Sequence, residues 1–286
     1  MTAADGLRAR LAAGGILSAP GAPDALAARL VERAGFEAIY MTGFGATASR
    51  LGRPDIGLLT QTEMATHARD MVRAVSIPII ADADTGYGGP ANIARTMEEY
   101  AQAGVAAIHL EDQVAPKRCG QLAGIRLIEA SQAVRHLRCA IAARPPGGPL
   151  VIGRTDAMPA AGPEEAVRRA LMYQDAGVDL VFVDGIKRIE EVEVIARRVP
   201  GPKVVSIVDG NETTALTATM LEEMGFSVVL YAVSLLFAAS RAMANTLAVL
   251  KRDGTPGAAA DEMMSYRDFS TLVDLPRFEM LDETYG

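Results

Sequence analysis

The sequence predicts an α/β chain closed into a (β/α)8 barrel of the TIM type, with an extra helix after it. Two observations predict this fold. An amphipathic stretch ending in glycine and running into a short apolar strand recurs four times, as VERAGFEAIYM, YAQAGVAAIHL, YQDAGVDLVFV and LEEMGFSVVLY. Gly35, Gly104, Gly177 and Gly225 stand where a helix end takes a left-handed residue, and the runs that follow are β-branched or aliphatic. Further strand candidates lie between these units at Gly15–Ala19, Ile77–Ala81, Leu150–Arg154 and Lys203–Ile207, so that eight strands alternate with eight helices. The rival, an open doubly wound sheet, would usually carry a glycine-rich phosphate turn after its first strand, and SAPGAPDALAARL has none.

In chain order, the strand at Gly15–Ala19 leads to a helix over Asp24–Ala34, which Gly35 ends before the second strand. GFGATASRLG follows, and a Gly-x-Gly without the third glycine reads as a tight turn rather than a nucleotide site. Helix Gln61–Val75 precedes strand Ile77–Ala81, and helix Asn92–Ala103 ends at Gly104 before AAIHL. After helix Ser131–Ala143, the turn-rich ARPPGGPL is a loop into strand Leu150–Arg154. Helices Pro163–Ala176, Ile189–Arg198 and Thr213–Met224 alternate with the sixth, seventh and eighth strands, and helix Ser234–Lys251 completes the barrel. A turn and a further helix at about Ala259–Leu272 remain. A barrel does not need that helix, so residues 1–252 are expected to form the catalytic barrel and 253–286 an extension packing outside it or on another subunit.

Composition narrows the partners. A net charge of −7 with no basic stripe argues against nucleic acid. Two cysteines cannot build a disulfide framework. The opening MTAADGLRARLAAGGILSAP lacks the pattern of a signal peptide, and no apolar run is long enough to span a membrane. A cytoplasmic chain with reduced thiols is expected.

In a barrel, function belongs at the C-terminal ends of the strands. The strand ends read IPIIADADTGYGG, AAIHLEDQV, VIGRTDA, LVFVDGI and VVSIVDGN, each finishing in charge. Alternation puts Asp82 with Asp84, and His109 with Glu111, on shared faces, so three carboxylates can converge on one point. Such a cluster suits a hard cation, Mg2+ first and Mn2+ next, unless the acids only cap helices and pair with arginines. His109 would point into the barrel and hold the acids by hydrogen bonds, whereas His67 and His136 fall within helices. Cys119, beside Lys117 and Arg118, reads as a thiol of lowered pKa fit for acid, base or nucleophile, or else as a small loop residue. Cys139 reads as packing. Arg154 can grip a substrate carboxylate or only balance Asp82 or Asp84.

Together ADADTGYGG, LEDQV and PKRCG resemble the isocitrate lyase and phosphoenolpyruvate mutase superfamily, above all its small lyase branch, which includes methylisocitrate lyase and 2,3-dimethylmalate lyase. The likeness runs from PGAPDALAARLVERAGFEAIYMTG through SRLGRPDIG to SLLFAASRAM. It implies a metal site with Asp82 as direct ligand and Asp55, Asp84 and Glu111 holding the metal's waters. It implies that Thr42 and Gly43 donate to the substrate carboxylate, Tyr40 is the base on the substrate hydroxyl, Arg154 binds carboxylate, and Cys119 protonates the carbanion. Family members tend to be tetramers that exchange a C-terminal helix, so a homotetramer is expected. The implied reaction is retro-aldol cleavage of a 2-hydroxy di- or tricarboxylate, of methylisocitrate or alkylmalate type, to a 2-oxo acid such as pyruvate or glyoxylate plus a carboxylate.

Three departures bear on the substrate. After Lys117, Arg118, Cys119 and Gly120 the family has His where this chain has Gln121; Asp184 replaces a usual Glu and Ser206 a usual Asn. All lie where substrate would bind, and an altered polar set can reject a substrate strongly. A smaller or more apolar alkylmalate is therefore preferred over isocitrate and methylisocitrate. The alternatives are oxaloacetate hydrolysis or decarboxylation, phosphonopyruvate chemistry, and, last, a binding barrel without catalysis.

Overall fold

The computed structural model describes residues 2–286. Its strands are β1 (Leu17–Ala22), β2 (Ile39–Met41), β3 (Ile79–Asp82), β4 (Ala107–Glu111), β5 (Leu150–Thr155), β6 (Leu180–Val183), β7 (Lys203–Ile207) and β8 (Val228–Tyr231). All pair in parallel with their sequence neighbours, and β1 pairs with β8, so the sheet closes as the sequence predicts. Parallel neighbours require crossovers, and helices supply them. They are α1 (Ala3–Ala12), α2 (Ala25–Arg33), α3 (Gly43–Leu51), α4 (Gln61–Ala74), α5 (Pro90–Ala103), α6 (Ala130–Ala143), α7 (Ala157–Ala161), α8 (Pro163–Asp175), α9 (Ile189–Arg198), α10 (Ala218–Glu223), α11 (Ser234–Asp253), α12 (Tyr266–Leu272) and α13 (Leu275–Tyr285).

Several elements differ from the sequence expectation. α1 was not expected; Leu7 and Ala4 on it join a buried cluster with Leu17, Leu150, Leu180 and Val228 at the starts of the strands, so it plugs the barrel's N-terminal end. β1 starts at Leu17 because Gly14 and Gly15 turn at φ +82° and +75°. The tight turn expected in GFGATASRLG is instead α3, capped by Thr42 Oγ1 on the Gly45 N–H and ended by left-handed Gly52. The helix expected over Thr213–Met224 breaks at extended Leu216 into a 3-10 turn, Glu212–Ala215, and α10, whose N-cap is Thr217. The helix expected over Ala259–Leu272 is a 3-10 turn, Gly257–Glu262, followed by α12.

Inside the barrel, alternate residues fill the space in layers. Leu17, Ala19, Tyr40, Ile80, Ala107, Ile152, Phe182, Val204 and Leu230 belong to one buried cluster. Register then lines up a polar layer above it: Asp82 pairs with His109, Glu111 with Arg154, and Arg154 with Phe182. The chain divides into two compact units, one ending at Ser234 and holding every strand, the other from Leu235 to Gly286. Within the second, α12 and α13 pack together. Among the described residues, no helix is long and apolar enough to cross a membrane.

Candidate active site

The polar layer at the strand ends closes around a small cavity lined by Tyr40, Thr42, Phe44, Asp55, Asp82, Cys119, Gly120, Gln121, Arg154, Phe182, Asp184, Ser206, Val208, Ala232 and Val233. Ten of the residues expected in the site are thus brought together. Gly43, Asp84, Glu111 and Lys117 stand behind this wall, and the Arg118 side chain is exposed. A roomier cavity of about 570 Å3 lies against Asp84 and Lys117, but neither Tyr40, Cys119 nor Arg154 lines it.

Asp82, at the end of β3, accepts from the Gly43 N–H at 3.2 Å and the Asp84 N–H at 2.9 Å. A Cβ at Gly43 would run into this carboxylate, so any larger residue there would push Asp82 out of place. Asp84 leaves the strand with φ +47° and turns its carboxylate toward Lys117. The buried Lys117 Nζ bridges Asp55 and Asp84 at 2.8 and 2.9 Å. Burial opposes its charge, yet Asp84, Glu111, Asp82 and Asp55 together hold Lys117 well above its ordinary pKa.

Arg154 is 4% exposed and meets Asp184 at 2.6 Å, Asp156 at 3.0 Å and Glu111 at 3.3 Å. Both Glu111 oxygens are buried without a hydrogen bond, and burial drives its pKa well above the usual range. Burial likewise raises Asp84 and Asp156, each to about 6. For Asp82 burial pulls the same way, but His109 when charged, then Lys117 and Arg154, hold it low. With burial pushing His109 down to about 4, the ring is neutral at pH 7, and the two cations do that work there.

Tyr40 Oη lies 3.1 Å from His109 Nε2, its one hydrogen-bond partner among the described residues. Burial, with Asp82 adding to it, raises Tyr40 well above its usual pKa, so the phenol keeps its proton. Donation to Nε2 places the ring hydrogen on Nδ1, which faces Asp82 Oδ1 at 3.7 Å. His109 therefore holds the tyrosine rather than hydrogen-bonding the acids.

Two expectations are corrected. Cys119 does not have a lowered pKa: burial pushes its thiol up to about 11, because Lys117 turns to Asp55 and Asp84 and Arg118 points to solvent. Nor do Asp82, Asp84 and Glu111 all point at one spot: among the described residues no three His, Cys, Asp or Glu side chains form a direct ligand group for one ion, although Asp82 lies close enough to act on both other acids. The turn at Asp84 and the pull of Arg154 on Glu111 separate them.

Sequence reasoning missed Asp112, Gln113 and Asp156, although all stand in quoted motifs. Alternation sends Asp112 outward, where it accepts from Thr155 Oγ1, Arg169 Nη1, Tyr173 Oη and the Asp156 N–H at 2.6–3.0 Å, tying β4 to β5 and α8. The signal was the run of three polar residues, Glu111 to Gln113, longer than one face of a strand can use.

The phosphoenolpyruvate phosphomutase family profile matches residues 7–251. The chain is 38% identical over 286 residues to 2,3-dimethylmalate lyase of Eubacterium barkeri, covering all of this chain and 99% of that one. It is 36% identical over 280 residues to 2-methylisocitrate lyase of Halalkalibacterium halodurans, covering 98% and 92%. A crystal structure of 2,3-dimethylmalate lyase superposes with a TM-score of 0.93 at 40% identity, covering 100% of this chain and 96% of that one. A phosphonopyruvate hydrolase solved in complex with oxalate and Mg2+ superposes at 0.90 with 30% identity, covering 100% and 99%. With its closed barrel, its Lys-Arg-Cys-Gly loop over the strand ends and these end-to-end likenesses, the chain belongs to the phosphoenolpyruvate phosphomutase family and is a carbon–carbon lyase of that superfamily.

Proposed function

We propose that the chain cleaves the C2–C3 bond of a small 2-hydroxy dicarboxylate carrying alkyl groups, of alkylmalate type, into a 2-oxo acid and a carboxylate. One observation carries this reading: Tyr40, Cys119 and Arg154 line a single small cavity in which the apolar side chains of Phe44, Phe182, Val208, Ala232 and Val233 stand among the polar ones. Arg154, the one guanidinium in that wall, already faces Glu111, Asp156 and Asp184, which favours a dicarboxylate over a tricarboxylate.

The donor set fits a hard divalent cation. Asp55, Asp82, Asp84, Asp156 and Asp184 meet two cations among the described residues, Lys117 and Arg154, and Glu111 beside them has both oxygens buried without hydrogen bonds. A dianionic substrate adds to this excess. Asp82 would hold Mg2+, or Mn2+, directly, with Asp55, Asp84 and Glu111 acting through its waters. Bound there, the ion would supply positive charge against the hydroxy acid and the negative charge that develops as the bond breaks.

The chain's own residues do the rest. Thr42, which lines the cavity at the start of α3, binds the carboxylate next to C2, and Arg154 the other. Tyr40 accepts the substrate's hydroxyl proton while passing its own to His109 Nε2. The C2–O bond becomes a carbonyl as the C2–C3 electron pair leaves as a carbanion delocalised into its carboxylate. The neutral Cys119 thiol protonates that carbon, and the proton handed to His109 returns through Tyr40, which shares the cavity with Cys119, to restore the thiol. Gln121, whose buried Nε2 lacks a partner, stands with Asp184, Ser206 and Gly120 around the substrate's far end.

A cytoplasmic homotetramer belongs to the same proposal. Exposed Phe237, Met243 and Leu247 on α11, and Phe269, Phe278 and Met280 beyond it, support burial against another copy.

Product assays on wild type and Cys119→Ser, with Mg2+ and with EDTA, test the reading across 2,3-dimethylmalate, other alkylmalates, 2-methylisocitrate, isocitrate, oxaloacetate and phosphonopyruvate. The expected result is 2-oxo acid release from an alkylmalate that needs both metal and thiol. Oxalate and acetate from oxaloacetate alone would replace it with the hydrolase reading.

A further inference from the structure

The loop that carries Cys119 is fastened at several points, by Lys117 on Asp55 and Asp84 among them, and one of the others is a side chain to which no role has been given. Gln113, 2% exposed and just past the end of β4, uses its whole amide. Its Oε1 accepts the Arg118 N–H at 2.9 Å, and its Nε2 donates to the Arg118 carbonyl at 2.7 Å and to Asp156 Oδ2 at 2.8 Å. Asp156 in turn accepts from Arg154 Nη2 at 3.0 Å. The next residue of the loop docks by a different bond, from the Cys119 N–H to the Asp55 carbonyl at 3.0 Å.

We propose that Gln113 is a positioning residue, a latch that grips the backbone of Arg118 so that Cys119 enters the cavity only while Asp156 holds Arg154 in place. The Arg118 side chain is exposed, so what the loop offers the latch is its peptide groups, not its charge. Both Nε2 hydrogens and the Oε1 acceptor are engaged, which fixes the amide in one orientation: flipped, it would set a donor against the Arg118 N–H and an acceptor against two oxygens. A carboxylate of the same shape cannot serve, since one of its oxygens would face both the Arg118 carbonyl and Asp156. A buried latch satisfied at every atom is cooperative, so losing it shifts the loop toward its open state by the worth of several bonds together.

The proposal rests on the reading of Cys119 as the proton donor, but its test does not need turnover. Trypsin can cut after Arg118 only when the loop leaves its seat, while the exposed Arg252 serves as an internal reference site. Gln113→Met keeps the volume without the bonds, and Gln113→Glu keeps the shape with the wrong charge. Each is expected to speed cutting after Arg118 by about tenfold or more, from the loss of three hydrogen bonds. Cutting after Arg252 and the thermal midpoint should stay near wild type, and kcat/KM should fall as the loop opens. Wild-type amide exchange gives a second readout, with the Arg118 amide protected and released in both variants. Folded variants with unchanged cutting and unchanged exchange would overturn the latch, and so would a wild-type Arg118 amide exchanging at the rate of an open chain. If Cys119→Ser keeps full activity while the latch variants still open the loop, the lyase chemistry is misassigned and the latch stands.

Discussion

Cys119 shows how burial overrules neighbourhood in setting what a side chain can do. Two cations precede it in sequence, yet one is spent on Asp55 and Asp84 and the other lies in solvent, so the thiol is governed by the cavity wall. With its pKa at about 11 against 9.0 for an ordinary thiol, it carries about a hundredfold less thiolate at pH 8. Site-resolved alkylation should therefore be slow at Cys119 in the folded chain at pH 8 and climb toward pH 11, where the same peptide in urea reacts at once; an inflection near pH 8 would show a thiolate nucleophile instead. The identities of Tyr40, Asp82, Cys119 and Arg154 were legible because motifs fix residue types and spacing. Their ionisation was not. That depends on which of several charges a side chain reaches, and Lys117 reaches residues sixty-two and thirty-three positions before it.

At the scale of the element, what the sequence announces is backbone chemistry. Gly35, Gly104, Gly177 and Gly225 all sit at positive φ, +85°, +88°, +92° and +82°, so the four repeated handovers were readable one residue at a time. α1 and α3 were not, since one buries only Ala4 and Leu7 and the other packs mostly glycine and alanine, leaving little apolar periodicity to see. Caps and close approaches make checkable differences. Thr60 and Glu63 close a reciprocal cap at the start of α4, and Thr60→Ala should cost about 1 kcal/mol. At the seam between the first and last strands, a Cβ on Gly21 would strike the Ala232 carbonyl, so Gly21→Ala should cost more, about 2 kcal/mol or above. Thermal melts of the two variants decide the order, and a Gly21→Ala protein as stable as wild type would mean that the seam adjusts freely.

For the whole molecule, the sequence conveyed the closed eight-stranded barrel, though not α1 or α3, and the tail poorly. The barrel's apolar runs each have an inner face to fill, whereas many apolar residues of the tail, among them Met263, Phe269, Phe278 and Met280, are exposed. If they serve assembly, light scattering of the 30.1 kDa chain should give a tetramer, and a chain ended after Arg252 a smaller species; a full-length monomer would remove that role. Because β1 hydrogen-bonds to β8, no barrel strand among the described residues has a free edge on which another chain could add itself. Copies of the folded protein then cannot meet by adding strand to strand, and contact between them falls to side chains and loops. The moment of danger is partial unfolding at that one seam: parting Leu17–Pro20 from Val228–Tyr231 would create two adhesive edges at once, so the same closure that builds the site also keeps the folded chain from aggregating strand to strand.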